Sequence, residues 1–276
     1  MNTVQKNRIV VKVGTSTLTH ESGALDLRSM ERLVRTLADL SGAGWEVILV
    51  SSGAIAVGTA KLGLAERPKE LRFKQAAAAV GQCRMMHIYD KLFGEYNRVT
   101  AQILLTGDDV ANPERAAHLR ATFSALLEMG VIPVVNENDS VSSAEIESGQ
   151  QKVFGDNDTL SAVVASLCGA GLLVLLSDID GLYDANPRTH PDAKLLPRVE
   201  ALTDEILAMA DGAGTWRGTG GMATKLSAAR VATEAGCDMV ITNGKRPEEL
   251  YDVVAGKAVG TRFLAARSAA GGGRAK

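Results

Sequence analysis

Six short apolar runs punctuate the chain: RIVVKV (8–13), EVILVS (46–51), VTAQILL (99–105), VIPVV (131–135), LLVLLS (172–177) and DMVIT (238–242). Most are rich in Val, Ile and Leu and do not alternate with polar residues. A strand wetted on one face alternates, whereas a strand covered on both faces does not. The runs therefore predict parallel strands buried between two layers. Helical spacing fills the intervals. Leu27, Met30, Leu33, Val34, Leu37 and Leu40 recur every three or four residues, so 26–42 is expected to be an amphipathic helix stopped by Gly42-Ala43-Gly44. Helices are also expected over 70–96 (one long or two short), 114–129, 158–168, 222–235 and 247–255. Strand–helix alternation along the whole chain predicts an α/β sandwich with a mostly parallel sheet. No internal repeat or low-complexity linker divides it, and the tail AARSAAGGGRAK reads as a disordered end.

Bulk properties narrow the functions. With 276 residues, 46% of them hydrophobic, the chain can form one large α/β domain or two small ones. Thirty basic residues stand against 32 acidic ones, a net charge of −2, and no basic cluster stands out. That is no footprint for nucleic acid, so any anionic ligand must be held by a local site. Cys83, Cys168 and Cys237 are odd in number and lack metal-type spacing, which argues against a disulfide framework or a zinc site and for a reducing cytoplasm. The polar start MNTVQKNR fits no signal peptide, and the apolar runs are too short to span a bilayer. A soluble cytoplasmic protein with no membrane partner is expected.

Parallel α/β folds bind ligands at the carboxyl ends of their strands, so the segments that follow the runs are informative. VVKVGTS puts Lys12 inside a strand and Gly14-Thr15-Ser16 at its exit. A lysine buried among apolar residues is unfavourable unless it meets a negative charge. An edge strand would let it reach solvent instead, but the adjoining Gly-Thr-Ser favours a phosphate. Ser52, Gly53 and Ala54 end the second run and open a helix, which makes either a carboxylate or phosphate pocket or an ordinary serine cap. Asn136, Glu137, Asn138 and Asp139 follow the fourth run. Such short-reach donors and acceptors suit a small polar ligand like an amino acid, the alternative being an Asx-rich turn. Asp156-Asn157-Asp158 enters a helix behind Gly155 and exceeds what capping needs; one could orient a lysine or a metal and another bond a substrate. Ser177-Asp178 ends the fifth run as a pocket wall or a loop.

GTGGMATK (218–225) looks like a phosphate loop with its lysine displaced. G-x-x-x-x-G-K-[ST] needs glycine directly before lysine, whereas Ala223 and Thr224 precede Lys225. Gly220 and Gly221 would present amides, and Lys225 would sit in a first helical turn, unfavourable for a cation unless an anion shares the site. Gly218, Gly220 and Ala223 also match G-x-G-x-x-A, but no strand precedes them, which excludes a dinucleotide-binding dehydrogenase.

In order and spacing, KVGTS, SSGA, NEND, GDND, SDIDGLY and GTGGMATK resemble the amino acid kinase superfamily and, in detail, its glutamate 5-kinase family, over roughly residues 8–264. The resemblance implies a single three-layer α/β/α sandwich domain over 1–264, with glutamate bound by its N-terminal part and ATP by its C-terminal part, and 265–276 as a tail. It implies that Lys12 and Lys225 contact the transferring phosphoryl group and that Asp158 orients them. Ser52, Gly53, Ala54, Asn136, Asp139 and Asn157 would hold L-glutamate. Lys12, Gly14, Ser177, Asp178, Thr219, Gly220, Gly221, Met222, Ala223, Thr224 and Lys225 would line the ATP site. The implied reaction is phosphorylation of the glutamate side-chain carboxylate by ATP, giving L-glutamyl 5-phosphate, the first step of proline biosynthesis. Mg²⁺ is expected mainly on the ATP phosphates, without a protein ligand set. Proline is implied as a feedback inhibitor, and a homo-oligomer, dimer or tetramer, as the assembly. Another small-acid kinase (acetylglutamate, aspartate or carbamate) and a non-catalytic amino-acid sensor are the alternatives. His20, His87, His118 and His190 lie outside the motifs and read as structural or surface residues.

The chain departs from that family in three places. IESGQQKVF (146–154) is a longer connection than usual, Asn186-Pro187 stands where Asp-Pro is common, and no room is left for a C-terminal PUA domain.

Overall fold

The structure, a computed structural model, describes residues 4–141, 156–187, 189–211 and 221–266. The strands, numbered along the chain, are β1 (Gln5–Val13), β2 (Glu46–Ser51), β3 (Thr100–Leu105), β4 (Ile132–Glu137), β5 (Ala170–Ser177), β6 (Arg198–Val199), β7 (Asp238–Asn243) and β8 (Thr261–Phe263). The helices are α1 (Thr15–Leu18), α2 (Leu27–Gly42), α3 (Ala54–Lys61), α4 (Leu71–Gly94), α5 (Gly107–Ala111), α6 (Pro113–Glu128), α7 (Asn157–Cys168), α8 (Asp204–Asp211), α9 (Met222–Glu234) and α10 (Glu249–Val254). All six apolar runs form strands, and the 70–96 pattern resolves into one helix, α4.

The strands form one eight-stranded sheet in the order β3-β4-β2-β1-β5-β7-β8-β6. Neighbours from β3 to β7 are parallel, β8 runs antiparallel to β7, and β6 runs parallel to β8. Side chains alternate between two cores. Val10, Ile48, Val50, Leu173 and Leu175 pack with Phe123 of α6, Leu160 of α7 and Ala229 of α9. Ile9, Val11, Leu49, Val174 and Leu176 pack on the opposite face with Leu37 of α2, Met85 of α4 and Leu250 of α10. Because both faces are apolar, period-two alternation is invisible in the sequence. The layers are therefore helix, sheet and helix, as expected.

This register decides where Lys12 goes. It shares a face with Val10, two residues earlier, and so points toward α7 and α9. A slip of one residue would send it into the opposite apolar core. Strand β1 pairs with β2 on one side and β5 on the other, which removes the edge-strand alternative for this lysine.

From β1 the chain builds outward to β2, β3 and β4, then crosses through α7 to β5 on the other side of β1. Helix α7 accordingly packs across β1, β2, β4 and β5. Its first turn lies above the carboxyl ends of the central strands, where a switch in strand order opens a crevice.

Helices α3 and α4 touch backbone to backbone. A Cβ on Gly58 would lie 1.8 Å from the Ala77 carbonyl oxygen, and one on Gly81 would lie 1.8 Å from that of Ala54. Neither obstacle is a flexible side chain. Gly81→Val is therefore expected to destabilise the fold by about 3 kcal/mol, the upper end for overpacking. A thermal melt should show Tm lowered by roughly 6 °C or more; an unchanged Tm would mean the two helices separate freely.

Candidate active site

Helices α1, α3, α7 and α9 begin at the carboxyl end of the central strands. Gly14, in extended conformation, caps α1 directly after β1. Gly53 caps α3 after β2 with φ +106°, a left-handed conformation that L-residues rarely adopt. Asp156 caps α7 by accepting a hydrogen bond from the Thr159 amide at 2.9 Å. Gly221 caps α9. Amides at helix starts carry partial positive charge, so this end of the sheet favours anions.

At its centre sits Asp158, 1% exposed. Lys12 Nζ is 2.6 Å from Oδ1 and Lys225 Nζ is 3.0 Å from Oδ2. Lys225 donates a hydrogen bond to Oδ2, and Lys12 holds Oδ1 in a close ion pair. The Thr224 hydroxyl lies 3.2 Å from Oδ2 and 2.8 Å from the Gly221 carbonyl oxygen. Burial, the largest single influence on Asp158, pushes its pKa up; the charges of Lys12 and then Lys225 outweigh it, and the net shift is downward. Lys225 is itself buried, with 6% exposure. Two ammonium groups on one carboxylate leave a net charge of +1 in a nearly dry site.

One residue earlier, Asn157 serves a second cluster. Its Nδ2 donates to Ser52 Oγ at 2.7 Å, to Asn136 Oδ1 at 3.1 Å and to the Ser51 carbonyl oxygen at 3.3 Å. Asn136 Nδ2 donates in turn to Gln82 Oε1 at 3.0 Å. Ser51 Oγ and the Tyr89 hydroxyl are 2.9 Å apart, and burial pushes the tyrosine pKa up. A Cβ on Gly53 would come 3.4 Å from Thr15, so the starts of α1 and α3 adjoin. Ala54 is buried, and Asp139 is half-buried in the turn after β4.

The remaining expected residues fall around these two clusters. Gly14 adjoins the lysine, since a Cβ on it would be 3.7 Å from Lys12 Nζ. Ser177 is buried at the end of β5, where its carbonyl accepts from the Gly244 amide at 2.7 Å, and Asp178 beside it is exposed. Met222, Ala223, Thr224 and Lys225 form the first turn of α9. Thr219 and Gly220, the 146–154 connection and nearly all of the tail lie outside the described residues. All four histidines are exposed. Among the described residues, no group of three or more His, Cys, Asp or Glu could hold a metal ion, and no helix is long and apolar enough to cross a membrane.

Two members of the second cluster are absent from the sequence reading. Gln82 and Tyr89 lie seven residues apart on one face of α4 and reach the ends of β4 and β2. The available signal was a glutamine within the alanine-rich stretch QAAAAVGQC, too faint to separate from a surface position.

Residues 7–243 match the amino acid kinase family. The chain is 55% identical over 258 residues to the glutamate 5-kinase of Clostridium perfringens (strain 13 / Type A), covering 94% of this chain and 95% of that protein. It is 54% identical over 257 residues to the glutamate 5-kinase of Caldanaerobacter subterraneus subsp. tengcongensis, covering 93% of this chain and 68% of that longer protein. Among solved structures, the carbamate kinase from Giardia lamblia bound to AMP-PNP superimposes with a TM-score of 0.64 at 17% identity, covering 94% of this chain and 98% of that one. The isopentenyl phosphate kinase of T. acidophilum, a product complex, gives 0.61 at 17% identity, with 93% and 99% covered. These last two are likenesses of fold.

Proposed function

The chain belongs to the amino acid kinase family, among the glutamate 5-kinases, and from that premise we propose that it transfers the γ-phosphoryl group of ATP to the side-chain carboxylate of L-glutamate. The product is L-glutamyl 5-phosphate, the first intermediate of proline biosynthesis. The observation that carries the reading is the first turn of α7. Asp158 holds two lysines there, and the adjacent Asn157 ties together the opposite pocket.

The attacking carboxylate has a free pKa of about 4.3 and is already ionised at neutral pH. No general base is needed, and exposed histidines fit that chemistry. The obstacle is repulsion between an anionic nucleophile and an anionic phosphate. Catalysis then rests on positioning and charge neutralisation. In this reading Lys12 and Lys225 contact the transferring group, Asp158 fixes their separation, and the amides opening α1 and α9 face the phosphates. Gly14, Ser177, Asp178 and residues 219–225 line the ATP site. Ser52, Gly53, Ala54, Asn136, Asp139 and Asn157 hold glutamate. Mg²⁺, carried by ATP phosphates and water, would neutralise charge on the β- and γ-phosphoryl oxygens. Proline, which shares the α-carboxylate and an α-amino nitrogen with glutamate, is proposed to compete at that pocket.

ADP release with ATP, Mg²⁺ and a panel of L-glutamate, N-acetylglutamate, aspartate and carbamate tests the assignment. Turnover should be greatest with L-glutamate and fall when proline is added. Faster turnover with another acid would reassign the substrate.

A further inference from the structure

We propose that Gln82 is a positioning residue that selects the zwitterionic end of the acid substrate; this rests on the assignment of the Asn136–Asn157 pocket to L-glutamate. A carboxamide offers donors on one atom and an acceptor on the other, so its orientation determines what it presents. Gln82 is buried on α4, and its Oε1 accepts from Asn136 Nδ2 at 3.0 Å. That bond turns Asn136 Oδ1 toward Asn157, whose Nδ2 donates to it at 3.1 Å. The remaining bonds of Asn157 Nδ2 go to Ser52 Oγ and the Ser51 carbonyl oxygen. Both N–H groups of Asn157 are thereby committed to the protein.

Two consequences follow at the pocket. Asn157 Oδ1 is left as an acceptor, and no donor among the described residues reaches it. Ser52 Oγ already accepts from Asn157, so its own O–H is directed away from that bond. An acceptor beside a hydroxyl donor complements an α-ammonium group beside an α-carboxylate. Without Gln82, the Asn136 carboxamide loses the acceptor for its N–H and keeps only the bond from Asn157 to hold its orientation. Gly81 makes the relay possible. Its missing side chain lets α4 approach the Ala54 carbonyl of α3, which brings the next residue, Gln82, to the end of β4.

The test is steady-state kinetics on wild type and Gln82→Met, with L-glutamate as substrate and glutarate, which lacks the ammonium group, as competitive inhibitor. Gln82→Met should raise the glutamate KM about tenfold, the scale of leaving a buried donor unpaired, with the ATP KM, kcat and the glutarate inhibition constant within about twofold of wild type. Gln82→Ala, suited to the alanine-rich helix, carries the same expectation if Gln82→Met does not fold. An unchanged glutamate KM, or equal rises for glutamate, glutarate and ATP, would overturn the relay alone. A wild-type protein that does not turn over L-glutamate would overturn the relay and the kinase reading together.

Discussion

Lys12→Ala and Lys225→Ala are each expected to lower kcat at least about a hundredfold, the scale of losing one group that stabilises charge in the transition state. The cluster holds two ammonium groups and one carboxylate, a net charge of +1. Removing either lysine brings it to zero, so in the proposed reaction less of the repulsion between the γ-phosphoryl group and the incoming carboxylate is offset. The site is nearly dry: Asp158 is 1% exposed and Lys225 6%. Water cannot replace the lost charge there as it would at a surface. The glutamate KM should move far less than kcat, because the Asn136–Asn157–Ser52 network contains neither lysine. Kinetics on folded variants checks this. Near-normal turnover in either one removes that lysine from the mechanism.

Asp158→Ala should act on both stability and activity. It leaves Lys12 and Lys225 facing each other without the carboxylate that holds both. Breaking a buried pair by removing one partner destabilises by about 3–5 kcal/mol, which corresponds to a Tm lowered by roughly 10 °C. Turnover should fall with it, since the lysines lose their common anchor. Asp158→Asn keeps the shape and loses the charge, and separates the two effects. The wild type carries a matching pH signature. The folded-state pKa of Asp158 lies below its ordinary value of 3.8. Its contribution to stability is therefore complete above that value and is lost as pH falls through the lower, folded one. Acid melts of wild type should lose stability in that window, and Asp158→Asn should lack that component.

Much of the candidate site was legible because its residues break local rules. Lys12 interrupts an apolar strand, Lys225 places a cation in a first helical turn, and Asp156-Asn157-Asp158 exceeds what capping requires. Each anomaly is resolved by the others: the lysines meet Asp158, and Asp156 alone does the capping. Gln82 and Tyr89 break no local rule. A polar residue on a helix looks the same in sequence whether it faces water or a strand end, and only the close α3–α4 approach decides. Strands β6 and β8 span Arg198–Val199 and Thr261–Phe263, too short to show a period. They take their conformation from pairing with each other and with β7.

In the proposed reaction, the two clusters joined at the start of α7 bring ATP and glutamate together to form an acyl phosphate. The direct measurement adds hydroxylamine to the enzyme with ATP, Mg²⁺ and L-glutamate, and quantifies γ-glutamyl hydroxamate against ADP. An acyl phosphate reacts with hydroxylamine, so hydroxamate is expected in step with ADP, and neither product above background for Lys225→Ala. ADP released without hydroxamate, or hydroxamate formed equally well by Lys225→Ala, would contradict it.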